Sequence, residues 1–203
     1  MTRRLILSAV VAGSLGLTLA PSRGRPAWAI AELVMLHLFF LADLWCRPPS
    51  AGEDLDSRAS VLTSKCYMAA LVYLPLLPGG PGWPLAPALG TALTALGALV
   101  TLWARLALGR SGTEVLTILP HHRLHTGGPY RVVRHPIYAG FALAFLGHQI
   151  AFSSVTGLAL WFVFALHILR GRIQREEAML LGHFGDRYAA YMRTTWKMFP
   201  CLF

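Results

Sequence analysis

The chain has 203 residues, 55% of them hydrophobic and only 13% charged, with a formal net charge of +9. Soluble domains carry about 25% charged residues, so the composition excludes a soluble globular fold and indicates an integral membrane protein. The basic residues are spread along the chain rather than gathered on one soluble face, which excludes a nucleic-acid-binding module and fits the Lys and Arg excess of cytoplasmic membrane loops.

Met-Thr-Arg-Arg opens the sequence ahead of an apolar run over residues 5–20. A basic start before such a run is also the pattern of a secretory signal. The next apolar segment begins only a few residues later, and the run reads as a first membrane helix. Ala27–Trp45 is the second span, and it carries Glu32, His37 and Asp43. Ionisable groups are costly in lipid and face the bundle interior. Glu32 and Asp43 are eleven residues apart, about three turns, so they share a face, whereas His37 lies around the helix from both. They either line a polar cavity or hydrogen-bond to neighbouring helices.

Residues 46–60 are polar, with Pro48, Pro49 and Gly52, and read as a loop before a third span over 61–78. Pro-Gly-Gly-Pro-Gly-Trp-Pro (78–84) is a turn no helix crosses. The fourth span, 85–108, is rich in Ala, Gly and Thr, residues that let helices approach closely. A polar connector follows over 109–136. Two shorter apolar segments, 137–152 and 155–169, are joined by Ser153-Ser154 and read as a helical hairpin that need not fully cross the membrane. From Arg170 the chain is a charged tail, in which Leu180, Leu181, Phe184, Tyr188, Tyr191 and Met192 mark an amphipathic helix. The fold expected is an all-α integral membrane protein of five to six membrane helices, the last two a short hairpin. It divides into N-terminal membrane helices (1–90) and a core (91–203) within one folding unit.

The arginines orient it. With the N-terminus inside, the inner segments hold Arg3, Arg4, Arg47, Arg58, Arg110, Arg123, Arg131, Arg134 and the basic tail, against Arg23 and Arg25 outside. Both termini, the connector and the tail then face the cytoplasm. In a prokaryote the membrane would be the cell membrane. Cys46, Cys66 and Cys201 form no CxxC pair, and neither they nor the histidines have the spacing of a metal site. No glycine-rich phosphate loop is present.

Gly127-Gly128-Pro129 sets a tight turn, and Arg134-His135-Pro136 leads into the next helix with Pro136 in its first turn. A backbone held in this way can present Tyr130, His135 and Tyr138 to one pocket. In the tail, Arg172 and Glu176 are four apart and share a helix face, which on spacing alone reads as an interfacial salt bridge.

Gly128-Pro129-Tyr130-Arg131 and Arg134-His135-Pro136-Ile137-Tyr138-Ala139-Gly140, followed across a hairpin by Arg172-Ile173-Gln174-Arg175-Glu176-Glu177 and Phe184-Gly185-Asp186-Arg187-Tyr188, resemble the signature of the isoprenylcysteine carboxyl methyltransferase family. These membrane enzymes use S-adenosylmethionine and are related to the phospholipid methyltransferases. The resemblance spans residues 95–200. It implies a cytoplasmic cofactor pocket built from the 109–136 connector and the C-terminal helix, with S-adenosylmethionine held by His122, Arg123, Leu124, His125, Tyr130, His135, Pro136, Ile137, Tyr138 and Glu176. It also implies that Arg172 orients the acceptor.

The residue chemistry agrees with that implication: Glu176 can receive an ammonium, an aromatic face can meet a sulfonium, and a guanidinium fork suits a carboxylate. The expected activity is methyl transfer to a lipophilic or amphipathic acceptor, foremost the carboxylate of an isoprenylcysteine-like molecule. A phospholipid amine or a small thiol are the other acceptors. The competing readings are an NADPH-dependent membrane reductase of the sterol reductase type, which shares a His-Pro-x-Tyr segment but is generally longer, and a non-enzymatic membrane scaffold.

Overall fold

The computed structural model describes residues 26–46, 58–76, 81–109 and 124–201. The expected first span over 5–20 lies outside the described residues, as do His122 and Arg123. The described chain is helical: α1 (Ala27–Cys46), α2 (Arg58–Tyr73), α3 (Ala86–Leu108), α4 (Pro136–Ala151), α5 (Val155–Val163), α6 (Arg170–Phe184) and α7 (Asp186–Thr194). A 3-10 turn, Leu74–Leu76, ends α2 where Pro75 cannot continue the hydrogen-bond ladder. Pro87 sits in the first turn of α3, and Gly109, at φ +55°, returns its N–H to the Arg105 carbonyl at the other end.

Among the described residues two helices are long and apolar enough to cross a membrane, α3 and the continuous helix Val155–Phe184. The second differs from the short hairpin arm expected from the sequence. A π turn, Phe164–Leu169, carries α5 into α6 without a break. The lone Gly171 does not stop the helix, which ends only at Gly185, φ +53°. The change at Arg170 is one of polarity, not of backbone. The tight end of the hairpin is as expected: Ser153 takes φ +50°, and the Ser154 hydroxyl caps α5 by accepting from the Gly157 N–H at 3.1 Å.

α3 and α4 form the centre. A Cβ built on Gly90 or Gly97 would lie 2.2 or 2.4 Å from the backbone N of Ala151 or Ala144. A Cβ on Gly140 or Gly147 would meet the backbone N of Thr101 or Thr94 at 2.8 or 2.4 Å. The small residues of the fourth span therefore form a seam where two backbones touch, as membrane helices require when no hydrophobic gradient pulls them together. Phe39, Phe141, Phe145 and Phe164 fill the core on the far side of α4, with Leu36, Leu71 and Ile173.

The two carboxylates of α1 bond to neighbouring helices. Glu32 Oε1 accepts from the Thr94 hydroxyl at 2.7 Å and lies 3.4 Å from His148 Nδ1, while His148 Nε2 donates to the Val72 carbonyl at 3.1 Å. Asp43 accepts from Arg105 Nε at 2.7 Å, both side chains almost fully buried. His37, around the helix as expected, bonds the Leu33 carbonyl of its own helix. Removing one member of a buried ion pair leaves the other uncompensated, at a cost of about 3–5 kcal/mol. Asp43→Ala should therefore lower the thermal midpoint in detergent strongly, and adding Arg105→Met should restore most of it. A double variant as unstable as the single one would contradict this account.

Candidate functional site

The site lies at the end of the bundle where α3 finishes, α4 begins and α6 passes. Gly128, at φ +57°, lets the connector turn tightly over α3; a Cβ there would come within 3.3 Å of Ala107. The 3-10 turn Gly128–Arg131 that follows buries Tyr130. His125 meets the Tyr130 ring edge-on, centroids 5.3 Å apart, and Tyr191 donates its hydroxyl to the Tyr130 carbonyl at 2.7 Å. Pro136 opens α4 from a non-helical His135, whose imidazole is buried and stacked on Tyr138 at 5.7 Å with 24° between planes.

Tyr138 joins the two motifs. Its hydroxyl donates to Glu176 Oε2 at 2.7 Å and accepts from Arg172 Nε at 3.0 Å. The Arg172–Glu176 pairing expected along one helix face is thus mediated by a residue of another helix. Tyr130 lies within electrostatic reach of both Glu176 and Arg105. Burial pushes the Tyr130 and Tyr188 hydroxyls well above the usual tyrosine range, and Tyr191 up to about 12. These phenols stay neutral at physiological pH, and of the three the Tyr191 hydroxyl makes the hydrogen bond, to the Tyr130 carbonyl.

The structure brings His135, Tyr138, Arg172 and Glu176 together and sets Tyr130 and His125 beside them. Leu124 begins the described part of the connector, and Pro136 is buried at the start of α4. Ile137 turns toward the core, packing against its aromatic cluster. Sequence reasoning missed Arg134, Glu177, Tyr188 and the segment after Thr194. Arg134 Nε donates to Glu177 Oε1 at 2.9 Å, and its Nη1 donates to the carbonyls of Met192 and Thr195. Tyr188 and Tyr191, three apart, look like part of an amphipathic stripe, and only their burial marks them as inward. Two buried polar atoms here, His125 Nε2 and the Tyr188 hydroxyl, have no hydrogen-bond partner among the described residues.

Residues 85–187 match the model of a family described as phospholipid methyltransferase. Protein-S-isoprenylcysteine O-methyltransferase B of Arabidopsis thaliana is 31% identical over 151 residues, 69% of this chain and 76% of that protein. Human phosphatidylethanolamine N-methyltransferase is 34% identical over 118 residues, 57% of this chain and 58% of its own. Among solved structures, a eukaryotic intramembrane Ras methyltransferase, an isoprenylcysteine carboxyl methyltransferase, matches with a TM-score of 0.65 at 22% identity, covering 96% of this chain and 76% of that one. That likeness carries the fold. The sequence relatives carry the assignment: this chain belongs to the isoprenylcysteine carboxyl methyltransferase family, and it is a membrane methyltransferase.

Proposed function

We propose that this methyltransferase takes its methyl group from S-adenosylmethionine and delivers it to the carboxylate of an isoprenylcysteine-like acceptor. The observation that carries the reading is the Tyr138 hydroxyl, bonded at once to Glu176 and Arg172. An anion suited to an ammonium and a cation suited to a carboxylate are held on two sides of one phenol. The pocket residues fit the cofactor: Glu176 receives its ammonium, and the orphaned His125 Nε2 and Tyr188 hydroxyl are poised for polar groups of a ligand. Tyr130 offers an aromatic face. S-adenosylmethionine, when bound, supplies an electrophilic methyl on a sulfonium.

For their part, the chain's residues bind and orient. An ionised carboxylate needs little general base, and in-line positioning supplies ~7–11 kcal/mol. Arg172 holds the acceptor carboxylate by its fork of N–H groups, and the lipid tail lies between the helices. A guanidinium at the acceptor position favours an anion over a phospholipid amine. Five to six spans follow from the apolar runs of the sequence, and cytoplasmic termini and a site facing the cytoplasm from the arginine bias. Residues 1–90 frame the 91–203 core in one unit, consistent with the Glu32–Thr94 and Asp43–Arg105 bonds between them.

The test is a titration of the purified full chain with S-adenosylmethionine and, separately, NADPH. Saturable binding of the first alone is expected, weakened in His135→Ala and Glu176→Ala. Absence of S-adenosylmethionine binding, or unchanged binding in both variants, would overturn the reading.

A further inference from the structure

The two glutamates of the Arg-Glu-Glu run are consecutive on α6 and therefore point about 100° apart, so they cannot serve the same group. Glu176 meets Tyr138. Glu177 turns the other way, into a nest of nitrogen donors: Arg134 Nε at 2.9 Å and His135 Nε2 at 3.3 Å on Oε1, and Lys197 Nζ at 3.5 Å on Oε2. All three belong to the end of the connector or to the C-terminal segment. Those two stretches are also paired through their backbones. The Arg134 N–H donates to the Trp196 carbonyl at 2.8 Å, the His135 N–H to the Lys197 carbonyl at 3.0 Å, and the Trp196 N–H to the Val132 carbonyl at 3.0 Å.

We propose that Glu177 is a positioning residue for methyl transfer: it fixes the His135 imidazole from behind and locks residues 195–197 against the connector as the backing of the pocket. This rests on the functional reading above, in which His135 lines the cofactor site. A carboxylate only accepts, so His135 donates its Nε2 proton to Glu177, and in the neutral ring Nδ1 is left as the acceptor. The ring so held stacks on Tyr138, whose hydroxyl orders Arg172 and Glu176. Orientation therefore passes from Glu177 through His135 and Tyr138 to both working groups. The Arg134 guanidinium, anchored by Glu177, ties the same loop to the Met192 and Thr195 carbonyls.

The test is a double-mutant cycle on kcat/KM for methyl transfer from S-adenosylmethionine to a prenylated N-acetylcysteine, in lipid nanodiscs. Glu177→Gln should lower kcat/KM roughly 10²-fold, the scale of a small misplacement at a reacting centre. In a His135→Ala background its loss should shrink well below that roughly 10²-fold, because the route through the imidazole is already gone, whereas fully additive losses would overturn the proposal. Glu177→Asp restores the charge with a shorter reach: the thermal midpoint should recover but kcat/KM should not. Recovery of both together would reduce the role to charge balance and overturn it. If Glu177→Gln does not fold, Glu177→Asp takes its place in the cycle with the same outcomes. A Glu177→Gln enzyme with unchanged kcat/KM overturns the positioning role alone. Absence of S-adenosylmethionine binding by the unaltered protein overturns the functional reading beneath it.

Discussion

Alanine at Arg172 should leave S-adenosylmethionine binding unchanged and reduce methyl transfer roughly 10²- to 10³-fold, the loss seen when one preorganised charged or hydrogen-bonding group is removed from a reacting centre. The asymmetry comes from Tyr138. Its hydrogen bond to Glu176, at 2.7 Å, does not need the arginine and keeps the proposed ammonium receptor in place. The acceptor carboxylate, in contrast, loses the fork that sets its approach. Arg172→Lys keeps the charge without the fork and should recover only part of the rate. Equilibrium binding measured beside single-turnover rates checks the prediction. If cofactor affinity falls in step with the rate, Arg172 belongs to the cofactor pocket.

The second large effect is on folding. Gly147→Ala adds one methyl group where the nearest atoms are the backbone N of Thr94 at 2.4 Å and the carbonyl O of Gly90 at 2.6 Å. Backbone cannot swing aside as a side chain can, so α3 and α4 must separate along the whole seam. Overpacking costs of about 3 kcal/mol are a large share of a total stability of about 5–15 kcal/mol. The variant should aggregate or elute in the void volume in detergent, with a sharply lowered thermal midpoint. Gly182→Ala is the control: nothing lies within 4 Å of a Cβ there, and alanine inside a helix gains about 0.5–1 kcal/mol over glycine. A Gly147→Ala protein that behaves like the unaltered chain would refute the tight seam.

The parts legible in the sequence were those with a periodic or local chemical signal. Helices α1, α3 and α4 announce themselves by their apolar runs, and Pro136 and Ser154 mark helix starts with turn chemistry that needs no partner. The shared face of Glu32 and Asp43 follows from helical spacing. Whether it lined a cavity or met other helices did not, because Thr94 and Arg105 are remote in sequence. Hydropathy falls after Leu169 and suggests an end there to the arm from Val155, yet a helix stops for backbone reasons and Arg170 gives none. In the candidate site, the motif resemblance points to Tyr138, Arg172 and Glu176, and hydrogen bonds join those three side chains. Glu177 was passed over because two adjacent glutamates look equivalent in a string of letters. Their different partners depend on what faces α6 from the connector and from residues 195–197, a long-range pairing with no local trace.

The bonds between α1 and α3 have one further consequence. Glu32 meets Thr94 and Asp43 meets Arg105 with the same offset of 62 residues. The two helices run parallel and are pinned at two heights about 16 Å apart. Two matched pins index a rod along its length: a slide of one helical turn would break both at once and pull the buried Asp43–Arg105 ion pair apart. The height of α1 in the bundle is therefore not left to the fit of its apolar length to its surroundings. It is dictated by α3, whose C-terminal end lies beside Gly128 and Tyr130, so any displacement of α3 carries α1 with it.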